Sequence, residues 1–432
     1  MSGRYVTIFL ASGDLRAGCI SPYETAPTMK NHPPLTRLTS LISLTLVFAL
    51  AAGACAPAAP VPAASPTPIP SQTDLLKTIS PTPTVQVTPP TPYHTATATP
   101  TRARPSPTPT ITRTPWPADA PGLRELAEKR GFGIGAAVQS SLLAGEEAYR
   151  QVLAREFNVL TPEWEMKMCV IWPERDRWDF SGSDAIVAFA EEHQMRVRGH
   201  TLVWIDCLPE WIVQGGFSKE EATALLQEYI FTVVGRYRGK IAYWDVVNES
   251  LDRPPAWADL IGPEYVRLAF EWAHQADPQA RLFYNDYDAE VMNSKADRVY
   301  NLVKGLLAEG VPIHGVGLQM HLKSRLARNS LAENIARLNA LGLEVHITEF
   351  DFPLPAGVRD PYATQAEVYR EAFQVCLEAQ NCPVFVLWGF TDRYTWIESF
   401  LKTPDPRPLI FDRDYLPKPA YEALFQLLKE ER

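Results

Sequence analysis

Two stretches of the chain end in carboxylates placed for chemistry. Residues 241–250, IAYWDVVNES, alternate Ile241, Tyr243 and Asp245 against Ala242, Trp244 and Val246, and finish on Asn248 and Glu249. That alternation reads as a short buried strand. A hundred residues on, residues 342–351, GLEVHITEFD, close on Glu349 in the same way. Two glutamates at the C-terminal ends of two parallel strands face one cleft, and a carboxyl pair across a cleft is what hydrolysis of a glycosidic bond needs. One glutamate at a strand end is more often a solvated or ion-paired group. The inference therefore depends on how many other strand ends agree.

They agree widely. Besides residues 241–250, segments 131–138, 156–162, 196–204, 281–288, 315–322, 344–351 and 384–392 read as strands. Between them, stretches such as EEATALLQEYIFTVVGRYRG and ATQAEVYREAFQVCLEAQ place apolar residues at spacings of three and four, the mark of amphipathic helices. Strands alternating with helices over residues 118–432 predict an α/β fold, a (β/α)8 TIM barrel. An open doubly wound sheet is the alternative, but no Gly-rich phosphate turn follows any strand. Polar and aromatic residues collect at the expected rim: Glu163 and Lys167, His200 and Trp204, Asn285 to Tyr287, Gln319 and His321, Asp351, and Trp388. Taken singly, His200 satisfying a core hydrogen bond or Trp204 packing would be ordinary. A rim built only for stability has no reason to gather so many polar groups.

The formal net charge is −9, without a long basic cluster, which argues against nucleic acid as a partner. The N-terminal part has a different character. Residues 1–28 show no periodicity and read as a misassigned start. Met29 opens a positively charged segment followed by an apolar run, the pattern of a signal peptide over residues 29–55. Small residues before Cys55 resemble a lipoprotein cleavage site, although Ala52 stands where such sites usually carry Leu; lipidation of Cys55 would anchor the chain to a membrane. Many of the 39 prolines fall in residues 56–117, a Pro/Thr/Ser-rich segment too poor in apolar surface to fold and stiff enough to act as a spacer. The expected protein is extracellular, either secreted or a cell-surface lipoprotein, and a monomer.

The segments FNVLTPEWEMKM, RVRGHTLVW, WDVVNE, LFYNDYD, GVGLQMHL, HITEFD and LWGFTDRYTW resemble, in order and spacing, the retaining glycoside hydrolases of family 10, mostly endo-1,4-β-xylanases. The resemblance implies a (β/α)8 fold, xylan as substrate, and neither metal nor organic cofactor. It makes Glu249 the acid/base and Glu349 the nucleophile. His321 would bond the nucleophile, Asp351 would orient that histidine, Asn248 would hold the sugar 2-hydroxyl, and Gln319 would neighbour the acid/base. Glu163, Lys167, His200 and Trp204 resemble glycone-side residues. Trp388 and Trp396 resemble aromatic walls near the cleavage point, and Tyr287 a platform on the leaving side.

The likeness breaks at four places. Trp164, Ile205, Cys207 and Met168 stand where the family usually has Asn, His, Gln and Trp. An indole cannot replace the two-sided hydrogen bonding of an amide. The chemistry residues are intact, so hydrolysis is expected to survive and chain preference to be altered. Another β-linked chain such as a mixed glucan, and a carbohydrate-binding barrel without catalysis, remain open as alternatives. The resemblance implies a Cys376–Cys382 disulfide, and Cys169 with Cys207, after neighbouring strands, is a second expected pair, bracing the altered pocket.

Overall fold

A computed structural model describes residues 120–253 and 255–430. The expected start, signal segment, Cys55 and linker lie outside the described residues. Eight parallel strands run β1 (Gly133–Val138), β2 (Val159–Pro162), β3 (Arg196–Val203), β4 (Tyr243–Asn248), β5 (Arg281–Asp286), β6 (Gly315–Leu318), β7 (Glu344–Phe350) and β8 (Val384–Leu387). They close in sequence order, with β1 paired to β8. Helices cover the outer face of the sheet, so outward strand residues are as buried as inward ones; β1 (GIGAAV) and β8 (VFVL) are buried throughout.

The helices follow the periodicity of their sequences. In Lys219–Arg236, Ala222, Leu225, Leu226, Tyr229, Ile230 and Val233 line the buried stripe. Ser218 caps that helix reciprocally with Glu221, satisfying backbone donors that its first turn would otherwise leave open. In Pro361–Glu378, Pro361 occupies the first turn and Asp360 caps it through the N–H of Ala363. The two ends of the barrel domain meet at buried Glu156, which accepts from the Leu123 N–H at 2.8 Å and from the Tyr421 hydroxyl at 2.9 Å.

All eight expected strands form, but several are shorter than the apolar pattern suggested. The continuous ladder of 315–322 ends at Leu318 and that of 384–392 at Leu387, with isolated bridges beyond them from His321 to Asp351 and from Thr391 to Phe411. Between ladder and bridge, Met320 and Gly389 take positive φ values of 64° and 94°. Register also slips between His200 and Val203, Asp245 and Val247, and Ile347 and Phe350. Such irregularities re-aim side chains, and these lie immediately before or among the polar residues of the rim.

Both expected disulfides are present. Cys169–Cys207 joins the short helix Met168–Ile171 after β2 to the turn Ile205–Cys207 after β3, with Cα atoms 5.0 Å apart. Cys376–Cys382 closes the approach to β8, with Cα atoms 5.1 Å apart.

Candidate active site

The site rests on a charged layer inside the barrel. Arg198 on β3 is fully buried and grips both oxygens of Asp245 on β4. It also donates to His346 Nδ1 at 3.0 Å. A guanidinium can only donate, so His346 carries its proton on Nε2, which reaches Glu344 Oε2 at 3.2 Å. Burial, with the Arg198 charge beside it, drives the His346 pKa down to about 4. Burial would raise the Asp245 carboxyl, but Arg198 and His200 outweigh it and hold it below the usual carboxylate range. Asp245 Oδ2 in turn lies 3.1 Å from His200 Nδ1 and fixes that ring at the floor of the cleft.

Above this layer a hydrogen-bond chain joins the two glutamates. Gln319 Nε2 donates to Glu249 Oε1 at 2.8 Å and to Asn248 Oδ1 at 3.3 Å. Asn285 Nδ2 donates to the same Asn248 oxygen at 2.8 Å and to Glu349 Oε1 at 2.7 Å. Thr348 Oγ1 donates to Asn285 Oδ1 at 2.7 Å, which sets the orientation of the amide. Trp204 Nε1 donates to the other oxygen of Glu249 at 3.0 Å. Glu249 itself takes a left-handed backbone, φ 57°, the kind of local strain that recurs at functional positions.

The two carboxylates have different company. Glu249 accepts from an amide and an indole, both neutral. Glu349 Oε2 faces His321 Nε2 at 3.1 Å, and His321 Nδ1 faces Asp351 Oδ2 at 2.9 Å. Burial opposes charge on His321, but Asp351 and Glu349 together raise its pKa to about 10, so it is an imidazolium donating from both nitrogens. Burial would raise the Glu349 carboxyl; the His321 bond and the nearby histidine charges overcome that and hold it below its ordinary value.

Aromatic rings wall the cleft. Trp388 stands edge-on to His200 and His321, with centroids 5.2 and 6.0 Å away. Trp396 lies 4.8 Å from His321 and donates Nε1–H to Asp351 at 2.7 Å. The Lys167 ammonium lies 4.3 Å from the Trp204 ring centroid, 4.7 Å from Trp164 and 5.9 Å from Trp388. Burial lowers the Lys167 pKa, against the fields of Glu349, Glu163 and Glu249. Glu163 accepts from Gln139 at 2.9 Å, and burial raises its carboxyl. Tyr287 is backed by Lys295, whose Nζ lies 3.1 Å from the ring centroid and 2.8 Å from both Asp286 and Asp252.

The structure thus brings together Asn248, Glu249, Gln319, His321, Glu349, Asp351, Trp204, Trp388 and Trp396 through direct contacts, with Glu163, Lys167, His200 and Tyr287 around them. Trp204 was expected among glycone contacts; it also holds Glu249. Four participants were not assigned roles from the sequence: Asn285, Thr348, Asp245 and Arg198. Asn285 was visible in the LFYNDYD segment, and its pairing opposite Asn248 gives it its role. Gly317 is a further requirement, because a Cβ there would fall on the Asn285 amide oxygen.

The profile described as glycosyl hydrolase family 10 matches residues 122–427. Endo-1,4-beta-xylanase B of Thermotoga neapolitana is 44% identical over 319 residues, covering 72% of this chain and 92% of that protein. A beta-1,4-xylanase of Dictyoglomus thermophilum is 40% identical over 325 residues, covering 70% of this chain and 90% of that one. Among solved structures, xylanase 10B of Thermotoga petrophila RKU-1 in complex with xylobiose superposes with a TM-score of 0.69 at 42% identity, covering 72% of this chain and 98% of that chain. Fold, profile and relatives agree: the chain belongs to glycosyl hydrolase family 10 and is an enzyme that hydrolyses O-glycosyl bonds.

Proposed function

We propose that the protein is a retaining endo-1,4-β-xylanase in which Glu349 is the nucleophile and Glu249 the acid/base. The observation that carries this assignment is the contrast between their partners, a cationic histidine at Glu349 and neutral donors at Glu249. Glu349, kept ionised by His321, attacks the anomeric carbon while Glu249 gives its proton to the departing glycosidic oxygen. The carbon–oxygen bond to the leaving chain breaks as the bond to Glu349 forms, leaving a glycosyl ester and an ionised Glu249. Glu249 then takes a proton from water, whose oxygen attacks the same carbon and expels Glu349, so configuration is retained.

Asn248 has its carbonyl oxygen occupied by Asn285 and Gln319, which leaves its NH2 for a sugar hydroxyl. Lys167, Glu163 and His200 bind glycone hydroxyls, with Trp388 and Trp396 against apolar sugar faces and Tyr287 on the leaving side. The relatives named xylanases support xylan as the polymer. Reducing ends released from xylan and from mixed-linkage glucan, by the wild type and by Glu349→Ala, test the reading. Xylan is expected to be cut by the wild type alone with the β-anomer formed first. Equal release by the variant would remove the nucleophile, and preferential cutting of glucan would change the substrate class.

The barrel acts as an exported monomer. The signal pattern of residues 29–55, Cys55 as lipid anchor and the spacer 56–117 support display at a membrane surface, and two disulfides suit an oxidising compartment. Membrane association lost in Cys55→Ser, and a monomer mass by light scattering, are the expected results; a Cys55→Ser protein that stays on the membrane refutes the anchor.

A further inference from the structure

Glu290 belongs to none of the groups named so far. It lies in the loop after β5, is 5% exposed, and is held from behind by Asn334, whose Nδ2 donates to the carbonyls of Ala289 and Glu290 at 2.8 and 3.0 Å. Its Oε1 accepts one bond that matters here, from the Met320 N–H at 3.0 Å. Met320 is fully buried and adopts φ 64°, an uncommon conformation for a side-chain-bearing residue. Its two chain neighbours are Gln319, which grips Glu249, and His321, which grips Glu349.

We propose that Glu290 is a positioning residue for both carboxylates at once: by fixing the Met320 peptide it sets the turn that aims Gln319 at Glu249 and His321 at Glu349. The surrounding backbone fits this role. Gln319 is tied at its own N–H to Asp286 O at 3.1 Å and at its carbonyl to the Glu349 N–H at 3.0 Å. Between that anchor and the Leu322 N–H bonded to Asp351 O at 3.0 Å, the Met320 carbonyl takes only a long bond, 3.4 Å, from the Asp351 N–H. Among the described residues, the Glu290 carboxyl therefore supplies the side-chain restraint on the peptide at the apex of the turn. A buried N–H without it would need another acceptor, and the turn would relax toward an ordinary backbone angle. Burial raises the Glu290 carboxyl, with Asp288 pushing the same way and His321 opposing; the acceptor oxygen is present in either protonation state.

The proposal rests on the assignment of Glu249 and Glu349 above, and the test separates the two. Wild type, Glu290→Gln, Glu290→Asp and Glu290→Ala are titrated for active sites with a 2-fluoro xylobioside bearing a dinitrophenolate leaving group. kcat and KM per titrated site are then measured on xylan and on an activated aryl xylobioside. Glutamine keeps an acceptor at the same reach and is expected to stay within about threefold of wild type, whereas Asp and Ala withdraw it and lose roughly ten- to a hundredfold in kcat per site. The loss is expected on both substrates and larger on xylan, because xylan also needs the proton that Gln319 helps Glu249 deliver. If Ala does not fold, Asp carries the comparison. Variants that lose melting temperature or titratable fraction but keep wild-type kinetics per site would reduce Glu290 to a structural residue. A wild type that is not labelled at Glu349 would overturn the double-displacement reading, and this proposal with it.

Discussion

Asp351→Asn isolates the electrostatics that distinguish the two glutamates. In the wild type His321 is held between Asp351 and Glu349, and its pKa rises from 6.5 to about 10 despite burial. That difference corresponds to roughly 5 kcal/mol of net preference for the imidazolium. Asp351 is the larger of the two raising partners and the burial penalty stays, so removing its charge while keeping an acceptor for the Trp396 N–H gives up more than half of that preference and brings the histidine titration down toward neutrality. The raised pKa of His321 contributes stability that is complete below pH 6.5 and is lost as pH climbs through about 10. In the variant that loss begins nearer neutrality. The lowered carboxyl of Glu349 works the other way: its contribution is present above pH 4.5 and disappears as pH falls. Nitrogen-15 NMR of the histidine rings reads the titration directly. kcat/KM for an aryl xylobioside with a very good leaving group, which needs little protonation by Glu249, should gain a new alkaline limb well below pH 10. An imidazolium persisting to pH 9 in Asp351→Asn, with an unchanged profile, would refute the claim that Asp351 keeps His321 charged.

Glu249→Ala should lose about 10²- to 10⁴-fold on xylan but far less on the same activated glycoside, measured as kcat/KM; equal losses would contradict an acid role. Opening the Cys169–Cys207 link, by paired replacement with serine, releases a loop of 38 residues. Loop-closure entropy makes that worth about 4 kcal/mol, so a melting temperature lower by several degrees is expected, and an unchanged one would show that the bridge constrains nothing. Gly317→Ala should displace the Asn285 amide and lower kcat more than it raises KM, because Asn285 holds Asn248 and Glu349 while touching the floor of the site; a rise in KM alone would remove Asn285 from the positioning set.

The chemistry-bearing residues were legible because each comes at the end of an apolar run, and a parallel barrel puts all such ends on one rim. That placement, with the agreement of the other strand ends, singled out Glu249, Glu349 and His321, while their separate roles came from the family resemblance. Their supports were harder to read for a physical reason. Asn285, Thr348 and Gly317 matter through which residue of a neighbouring strand they face, and that depends on register, including the slips beside Asp245 and Ile347. Apolar alternation fixes the face on which a residue lies but not which residue of the neighbouring strand it meets. It also ran past the ends of β6 and β8, because Met320, Trp388 and Phe390 are buried although they lie beyond the last strand residues. Buried Arg198 and His346 were hidden in the same way: on a strand read alone, an arginine or histidine among apolar residues has no visible partner.

The layout also places the four positions read above as breaks in the family likeness. Glu249, Glu349 and nearly all that touches them come from β4 to β7 and the loops that follow. Trp164, Met168, Ile205 and Cys207 come from the loops after β2 and β3, a side that reaches the carboxylates through the Trp204 bond to Glu249 and through the fields of Lys167 and His200. On that side a disulfide joins the two loops, and Trp164 adds a third indole to Trp204 and Trp388 around the Lys167 ammonium. An ammonium over ring faces keeps its charge stabilised while its N–H groups stay available to sugar oxygens. Trp164, 49% exposed, adds an apolar face beside that ammonium. A stacking face and a point charge ask of a ligand a flat C–H face and fix hydroxyl direction less strictly than an amide would. The His321 contacts that set Glu349 apart from Glu249 come from β6 and β7, away from the four altered positions, while Trp204 is the point at which the β3 side reaches Glu249.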